Sequence, residues 1–460
     1  MASSSLFTSR ALASVLLLLL AAGMWFYMAR IAPRERAAQL GEAQFQSTLG
    51  DLYSPWRGTR ELLLHHRDPY SAEVTRDIQT EYYGKALDNS PEGPHDQQRF
   101  AYPVYVALLL APAAHLPFNY ARSILRWMLA AITLASIPLW QRLAPARSGT
   151  ASLIVTGALT LASVPVIQAL NLQQLALLVA GLLAGCAALL TKQCYRSAGI
   201  LLALASIKPQ MAALITAWLM LWALSDWKKR KAFAASYALS MTALVLAGEW
   251  LLPGWIPEFV RGIVAYARYT DSSSWLALWL PRALALIGAA ALVVGLVAVG
   301  WRSRLAAGDS PAFAFTFALV LVVTIMIVPA TKPVFNQILL LPALLLAAQD
   351  APATWARNLL SRALLVLWWG IAGAPWVLAA GVILVWLFLP AALQHVWSLP
   401  LYLSLLLPLA AFGLLTLRGK TTVQGRGLLP GLPRPASEAS ERPSGYRQEE
   451  HRNARRRPGT

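Results

Sequence analysis

Three polar breaks interrupt a very apolar chain, and each holds a residue type that can do chemistry. The first is Asp51, in Gly50-Asp51-Leu52-Tyr53, about 20 residues beyond the first apolar run. A carboxylate held at a membrane surface can act as general base on a hydroxyl group. It could instead cap the short helix expected to begin near Ser54 or Pro55, although Ser54 can do that job itself. Asp68 and Glu61 are the next carboxylates in the same segment. The second break is Lys208-Pro209-Gln210, inside a long apolar stretch. A lysine at the centre of a membrane helix costs about 2.5–3.5 kcal/mol on insertion scales. A lipid phosphate would offset that cost, and snorkelling of the ammonium to the headgroups is the alternative. The third break is Pro329-Ala330-Thr331-Lys332-Pro333-Val334-Phe335-Asn336-Gln337. Lys332 is a candidate second phosphate contact; a plain reverse turn explains the same residues.

The elements that must position these groups are apolar helices. The chain has 460 residues, 57% hydrophobic and 13% charged, with a mean hydropathy of +0.52. A soluble domain carries about 25% charged residues. Apolar runs recur from Ala11 to Leu417, too many for a water-soluble fold to bury. They are continuous rather than alternating, which excludes a membrane β-barrel. The expectation is an all-α polytopic membrane protein of about 12 spans. Residues 11–29 are taken as a retained first helix with the N-terminus inside. The spans after it are 120–141, 148–168, 171–190, 197–225, 232–252, 278–300, 310–328, 335–349, 363–393 and 399–417. The stretch 197–225 is read as two short helices that rise and return at Lys208-Pro209, and 363–393 as one span.

Charge orients this bundle. Of 21 acidic residues, 11 lie between Ile31 and Phe100 and only six between Ala101 and Leu417. Basic residues sit in short loops, as in Lys228-Lys229-Arg230-Lys231 and Arg302 with Arg304, which mark the cytoplasmic side. The segment 31–100 is therefore expected to be a large first extracytoplasmic loop, with interfacial helices around 56–67 and 101–116. The chain divides into a membrane domain, 1–417, and a basic tail, 418–460, expected to be disordered and cytoplasmic.

Several function classes drop out. The net charge of +18 follows from topology, so no nucleic-acid partner is expected. The two cysteines, Cys186 and Cys194, offer no disulfide framework or CxxC metal site. His65 and His66 are adjacent, which is not ligand spacing on a helix. No phosphate-binding glycine loop, H-E-x-x-H or G-x-S-x-G occurs. No cofactor and no metal ligands are assigned, and a divalent-metal requirement is left open.

The order and spacing of several short motifs then point to a family. Asp51-Leu52-Tyr53-Ser54-Pro55-Trp56, Asp68-Pro69-Tyr70, Phe100-Ala101-Tyr102-Pro103, Ala198-Gly199 through Ile207-Lys208-Pro209-Gln210, Pro329, Phe335-Asn336-Gln337 and Leu339-Leu340-Leu341-Pro342 together resemble glycosyltransferase family 87. These are relatives of the polyprenol-phosphate-mannose-dependent mannosyltransferases, in the GT-C class. The resemblance runs from about residue 11 to 417. It departs at Leu172-Gln173-Gln174, which lacks the family's glycine, and at Phe335-Asn336-Gln337, which replaces a histidine-containing motif.

The resemblance implies a GT-C-like bundle in the cell membrane with its active site on the extracytoplasmic side. The activity implied is inverting transfer of a hexose, mannose by family, from a polyprenyl-phosphate donor to a glycan or lipid acceptor. Asp51 matches the position of the family's catalytic acid in the first loop. Lys208 and Lys332 are assigned to the donor phosphate, and Tyr102, Gln173, Gln210 and Asn336 to substrate. A transporter or flippase of lipid-linked sugars is the alternative; it predicts internal repeats and ionisable groups at the bilayer midplane. A non-catalytic scaffold in envelope assembly is a third reading, which leaves Asp51 without a task.

Overall fold

The computed structural model describes residues 2–40, 49–87, 94, 96–143, 149–270, 272–329 and 333–425. Lys332, and the expected tail beyond Gly425, lie outside these residues. Among the described residues there is no strand, and the all-α expectation holds. The chain opens with α1 (Ala2–Phe26), which runs through a π-helical turn at Tyr27–Ile31 into α2 (Ala32–Leu40). Three short helices follow: α3 (Tyr53–His65), α4 (Ala72–Tyr83) and α5 (Val106–Ala114). Next come α6 (Phe118–Gln141), α7 (Thr150–Leu161), α8 (Val164–Asn171), α9 (Ala176–Thr191) and α10 (Tyr195–Leu204). The middle of the chain holds α11 (Pro209–Ser225), α12 (Trp227–Leu251), α13 (Trp255–Tyr269), α14 (Arg282–Ser303) and α15 (Pro311–Ile327). A 3-10 segment, Pro333–Leu340, leads into α16 (Leu341–Trp355) and α17 (Leu359–Phe388). Short α18 (Leu393–Val396) and α19 (Leu399–Ser404) precede α20 (Leu407–Gly425).

Six of these segments are long and apolar enough to cross a membrane, or eight if the two bent pairs each form one span. A bilayer core of about 30 Å takes about 20 helical residues, so the chain is a multi-pass membrane protein. The expected twelve is reached only by adding four shorter apolar helices, α9, α10 with its 3-10 end, α11 and α15. Length alone does not make them spans. Two of them are the interior of the bundle: α9 and α15 are buried along most of their length. A helix apolar on every side belongs inside, while α14 and α17 leave Ile287, Val294, Leu367 and Leu384 exposed.

Local sequence explains the departures from straight helices. The expected span 148–168 is two helices bent by 61°. Ser163 is extended at the N-cap of α8 and Pro165 stands in its first turn, where proline starts a helix readily but cannot continue one from the residues before it. The 197–225 stretch reverses at Lys208, where the backbone leaves helical geometry before Pro209. The rings of Tyr195 and Trp222 lie 6.2 Å apart, so the far ends of α10 and α11 meet. Against α12, α10 packs closely enough that a Cβ on Gly199 would fall 2.5 Å from the Phe233 carbonyl oxygen. Small residues permit such backbone contact between membrane helices.

Between α1 and α6 the structure corrects two expectations. The helix expected at 56–67 runs from Tyr53 to His65, and His66 ends it with a left-handed φ of 53° rather than Pro69. The helix expected at 101–116 spans only Val106–Ala114. A further helix, α4, is capped by Ser71, whose Oγ accepts from the Val74 N–H. Glu61 is buried in α3 and pairs with Arg57 and Arg67; Arg67 also reaches Asp77. That network ties α3 to α4. Glu61 is thereby committed to ion pairs, and Asp68 accepts from the Tyr70 N–H at 2.8 Å.

The opposite end of the bundle carries the basic loops. There Arg230 is 3% exposed. Its guanidinium donates to the carbonyls of Trp222, Arg304, Leu305 and Ala306 and stacks 3.8 Å over the Trp222 ring. Of the four residues in the 228–231 basic run, this one is a structural clamp rather than a solvated charge.

Candidate active site

Gly50 and Gln173 are the backbone hinges of the site. Gly50 has a φ of +75°, a left-handed conformation that favours glycine. A Cβ there would meet the Leu172 Cα at 3.3 Å. The 50–53 turn therefore docks directly on the 172–174 turn, and the Leu52 N–H donates to the Leu172 carbonyl at 3.3 Å. Gln173 also has positive φ, 51°, and is fully buried. Its Nε2 donates to the carbonyls of Leu170 and Asn171, which pins the end of α8.

Docking these turns brings three side chains into a chain of contacts. The Gln174 Nε2 donates to the Asp51 carboxylate. The Lys208 Nζ donates to the Gln174 Oε1 at 2.9 Å. The amide orientation follows from chemistry, because the carboxylate only accepts and the ammonium only donates. Gln174 thus sits polarised between a negative and a positive group and holds Asp51 in place. The Lys208 charge also acts on Asp51 through space. Asp51 is half-buried, while Gln174 and Lys208 are buried. The N-cap position of α3 is Leu52, which has no capping side chain.

Tyrosines surround this chain. Burial pushes the Tyr102 phenol upward, and the Asp51 and Asp96 carboxylates push it the same way. Tyr82 is raised by burial, then by Asp51 and Asp96, with Arg122 opposing. Both phenols are therefore neutral hydrogen-bonding groups within electrostatic reach of Asp51. Burial likewise raises the Asp68 carboxyl, opposed by its bond from the Tyr70 N–H and assisted by Glu258. Asp68 lies within electrostatic reach of Arg261 and Glu258, and among the described residues its hydrogen bond is to the Tyr70 N–H rather than to Gln174 or Lys208.

The 3-10 segment 333–340 packs against α8, α9 and α15. It carries Asn336 and Gln337, both buried. Among the described residues the Asn336 Oδ1, both polar atoms of Gln337 and the Gln173 Oε1 are buried without a hydrogen-bond partner. Such atoms cost about 1–3 kcal/mol each if nothing satisfies them. Gln210 is in the first turn of α11 and exposed; no contact ties it to Asp51. Of the residues singled out from sequence, the structure therefore joins Asp51 and Lys208 through Gln174, leaves Tyr102 within electrostatic reach of Asp51, sets Gln173 against Gly50, and leaves Gln210 at the surface. Gln174 is the link that sequence reasoning left without a role. Its signal was the polar run Asn171-Leu172-Gln173-Gln174 between two apolar helices.

Two open grooves lie elsewhere on α3 to α5 and α13. One, about 550 Å³, is lined by Tyr53, Trp56, Arg57, Arg60, Glu81 and His115 among others. The other, about 510 Å³, lies between α4 and α13 and includes Arg76, Arg99 and Arg261. Neither contains Asp51, Gln174 or Lys208, so the site is identified by its chemistry rather than by its volume. Among the described residues no three His, Cys, Asp or Glu side chains gather as metal ligands would. Cys186 is buried and Cys194 exposed, and both are free thiols.

Comparison with known proteins agrees with this reading at the level of family. No curated protein matches the chain. The sequence profile of glycosyltransferase family 87 matches residues 100–329, half of the 460 residues. The matched part contains Tyr102, Gln173, Gln174, Lys208 and Gln210, and ends before Asn336; Asp51 lies ahead of it. With a bundle of apolar helices and a buried cation linked through an amide to a carboxylate, this match makes the chain a membrane glycosyltransferase that belongs to glycosyltransferase family 87.

Proposed function

We propose that this transferase moves a hexose, mannose by family resemblance, from a polyprenyl-phosphate carrier to a glycan or lipid acceptor on the extracytoplasmic side of the cell membrane. The observation that carries the reading is the Asp51, Gln174 and Lys208 chain. An ammonium has three donors, and Lys208 uses one of them on Gln174. The other two, in a 7% exposed side chain, fit an anionic oxygen that the carrier supplies. Asp51 takes the proton from the acceptor hydroxyl as its oxygen attacks the anomeric carbon. The bond from that carbon to the carrier phosphate oxygen breaks, and the phosphate leaves with the electron pair. Lys208 stabilises the charge that develops there. One base and a good leaving group suit a single inverting displacement; no second carboxylate is required, unlike a glycosidase.

The remaining assignments follow the same chemistry. Gln173 and Asn336 carry unpartnered buried oxygens, which suit sugar hydroxyl donors. Tyr102 offers a neutral phenol beside the base. Lys332 is retained as a second donor-phosphate contact and Gln210 as a substrate contact. The acid-rich segment between α2 and α6 supports the extracytoplasmic orientation, because acids collect there while the short loops are basic. No cofactor and no nucleic-acid partner enter this scheme.

Purified protein in liposomes with a radiolabelled polyprenyl-phosphate hexose and an acceptor pool tests the activity. Transfer of label to the acceptor without net movement of the carrier is expected. Movement of the carrier with no transfer would replace the enzyme by a flippase. Orientation has its own test: a cysteine introduced at exposed Lys85 should react with an impermeant reagent added to intact cells. Reaction only after permeabilisation would invert the topology.

A further inference from the structure

Two arginines on α6 have no role in the scheme above. Arg122 and Arg126 are half-buried and one helical turn apart, on a segment long and apolar enough to span a membrane. Among the described residues neither side chain takes part in an ion pair or hydrogen bond, and the Arg126 Nε is buried with no partner there. Like charges at i and i+4 repel, and an unpaired charge in an apolar span is costly. An anion set between the two guanidiniums would relieve both costs.

Snorkelling to the lipid headgroups does not account for them. Tyr120, Ile124 and Trp127 are 67%, 55% and 74% exposed and mark the lipid-facing stripe of α6. At about 100° per residue, Arg122 and Arg126 fall on the other half of the helix, next to buried Ala121, Leu125 and Leu129. Arg122 acts electrostatically on Tyr82, and Tyr82 in turn feels Asp51. The pair thus faces the interior, one to two turns beyond Phe118, whose ring lies 5.0 Å from that of Tyr53 in the segment that carries Asp51.

We infer that Arg122 and Arg126 together hold a lipid-borne phosphate on the inner face of α6, at the end of the helix that packs on Tyr53. Two guanidiniums offer planar forks that match phosphate oxygens, where a lysine offers only a point charge. Two lipids carry such a group: the polyprenyl carrier, in which case the inference rests on the transferase reading, and a surrounding phospholipid.

The test measures binding of a short polyprenyl monophosphate, without sugar, to protein in phosphatidylcholine nanodiscs. It compares wild type with Arg122→Gln, Arg126→Gln, the double variant and the double Lys variant. Affinity should fall about tenfold or more per arginine, in keeping with charged hydrogen bonds, and the Lys pair should recover part of it. A parallel arm adds phosphatidylglycerol and follows transfer and thermal stability. Loss of carrier phosphate affinity supports the carrier as the source. Unchanged carrier affinity with lost response to phosphatidylglycerol supports the site with a phospholipid in it. A double variant that matches wild type in both arms overturns the inference. Arginine-dependent phosphate binding in a wild-type protein that transfers no sugar would leave this site standing and remove the transferase scheme alone. Unfolding of the Gln pair is answered by the Lys pair, which keeps both charges.

Discussion

Two buried cations sit near opposite ends of this bundle, and they differ in what they have left to offer. Arg230 gives its guanidinium to four backbone carbonyls and covers its face with Trp222. Lys208 is almost as buried but meets one amide oxygen. The four carbonyls belong to the last turn of α11 and to the loop after α14, where helix C-termini leave acceptors unsatisfied and attract cations. Lys208 stands instead at a junction, C-cap of the 3-10 turn Ala205–Ile207 and N-cap of α11, so the two helix dipoles there oppose each other. A buried cation with spare donors is expensive for the fold. Its position makes sense when an anion arrives. Burial alone therefore does not distinguish a structural from a functional charge; the count of used donors does.

The sharpest break of this comparison is at the group that Lys208 serves. Asp51→Asn keeps size and the hydrogen bond from Gln174 but cannot accept a proton. Turnover should fall about 100-fold or more, in line with general-base contributions, while melting temperature stays near wild type. Near-normal turnover would remove Asp51 as base. Glu61 and Asp68 would then be weaker successors than the sequence suggested, since one is committed to two arginines and the other to the Tyr70 N–H.

Arg230→Ala should do the reverse. It strips four carbonyls of their donor and opens a void beside Trp222, and should cost about 2–4 kcal/mol of stability. Thermal unfolding in detergent checks this. Donor KM of the folded fraction should stay unchanged; a specific rise in KM would mean that the two ends are coupled. Lys208→Ala should raise KM for the lipid donor and slow turnover, about tenfold together, because the contact tightens as the phosphate leaves. Lys208→Arg should recover part of this, as charge is kept and geometry is not. Wild-type donor kinetics in Lys208→Ala would take the residue out of the site.

The smallest effect is expected at the hinge. Gly50→Ala forces a Cβ into a left-handed conformation and against Leu172, at a cost of about 1–2 kcal/mol. Loosening the docked turns should lower turnover more than stability, since only the 50–53 turn shifts. Equal loss of both, read from kinetics and thermal unfolding on the same sample, would mean that the turn is structural support rather than positioning for Asp51.

Much of this was legible in the residue order. Apolar runs of about 20 residues dictate membrane helices because lipid offers the backbone no hydrogen-bond partner, so each segment must satisfy its own. The Lys208-Pro209 pair dictates a reversal, since proline cannot continue the helix before it. Acid in one loop and base in the others dictates which ends of the helices lie together. Asp51 and Lys208 stood out because a charge in an apolar setting needs a reason. What the sequence could not carry is which polar groups meet. Asp51, Gln174 and Lys208 are separated by 123 and 34 positions, and their contact depends on how two turns dock. Arg230 looked like one more cytoplasmic lysine or arginine until the end of α11 and the loop after α14 closed around it. Arg122 and Arg126 were hidden inside an apolar span, and only the packed helix shows that they face inward. Local pattern is governed by period and by solvent, which a linear sequence encodes directly; the pairing of buried charges is governed by distance, which only the tertiary fold creates.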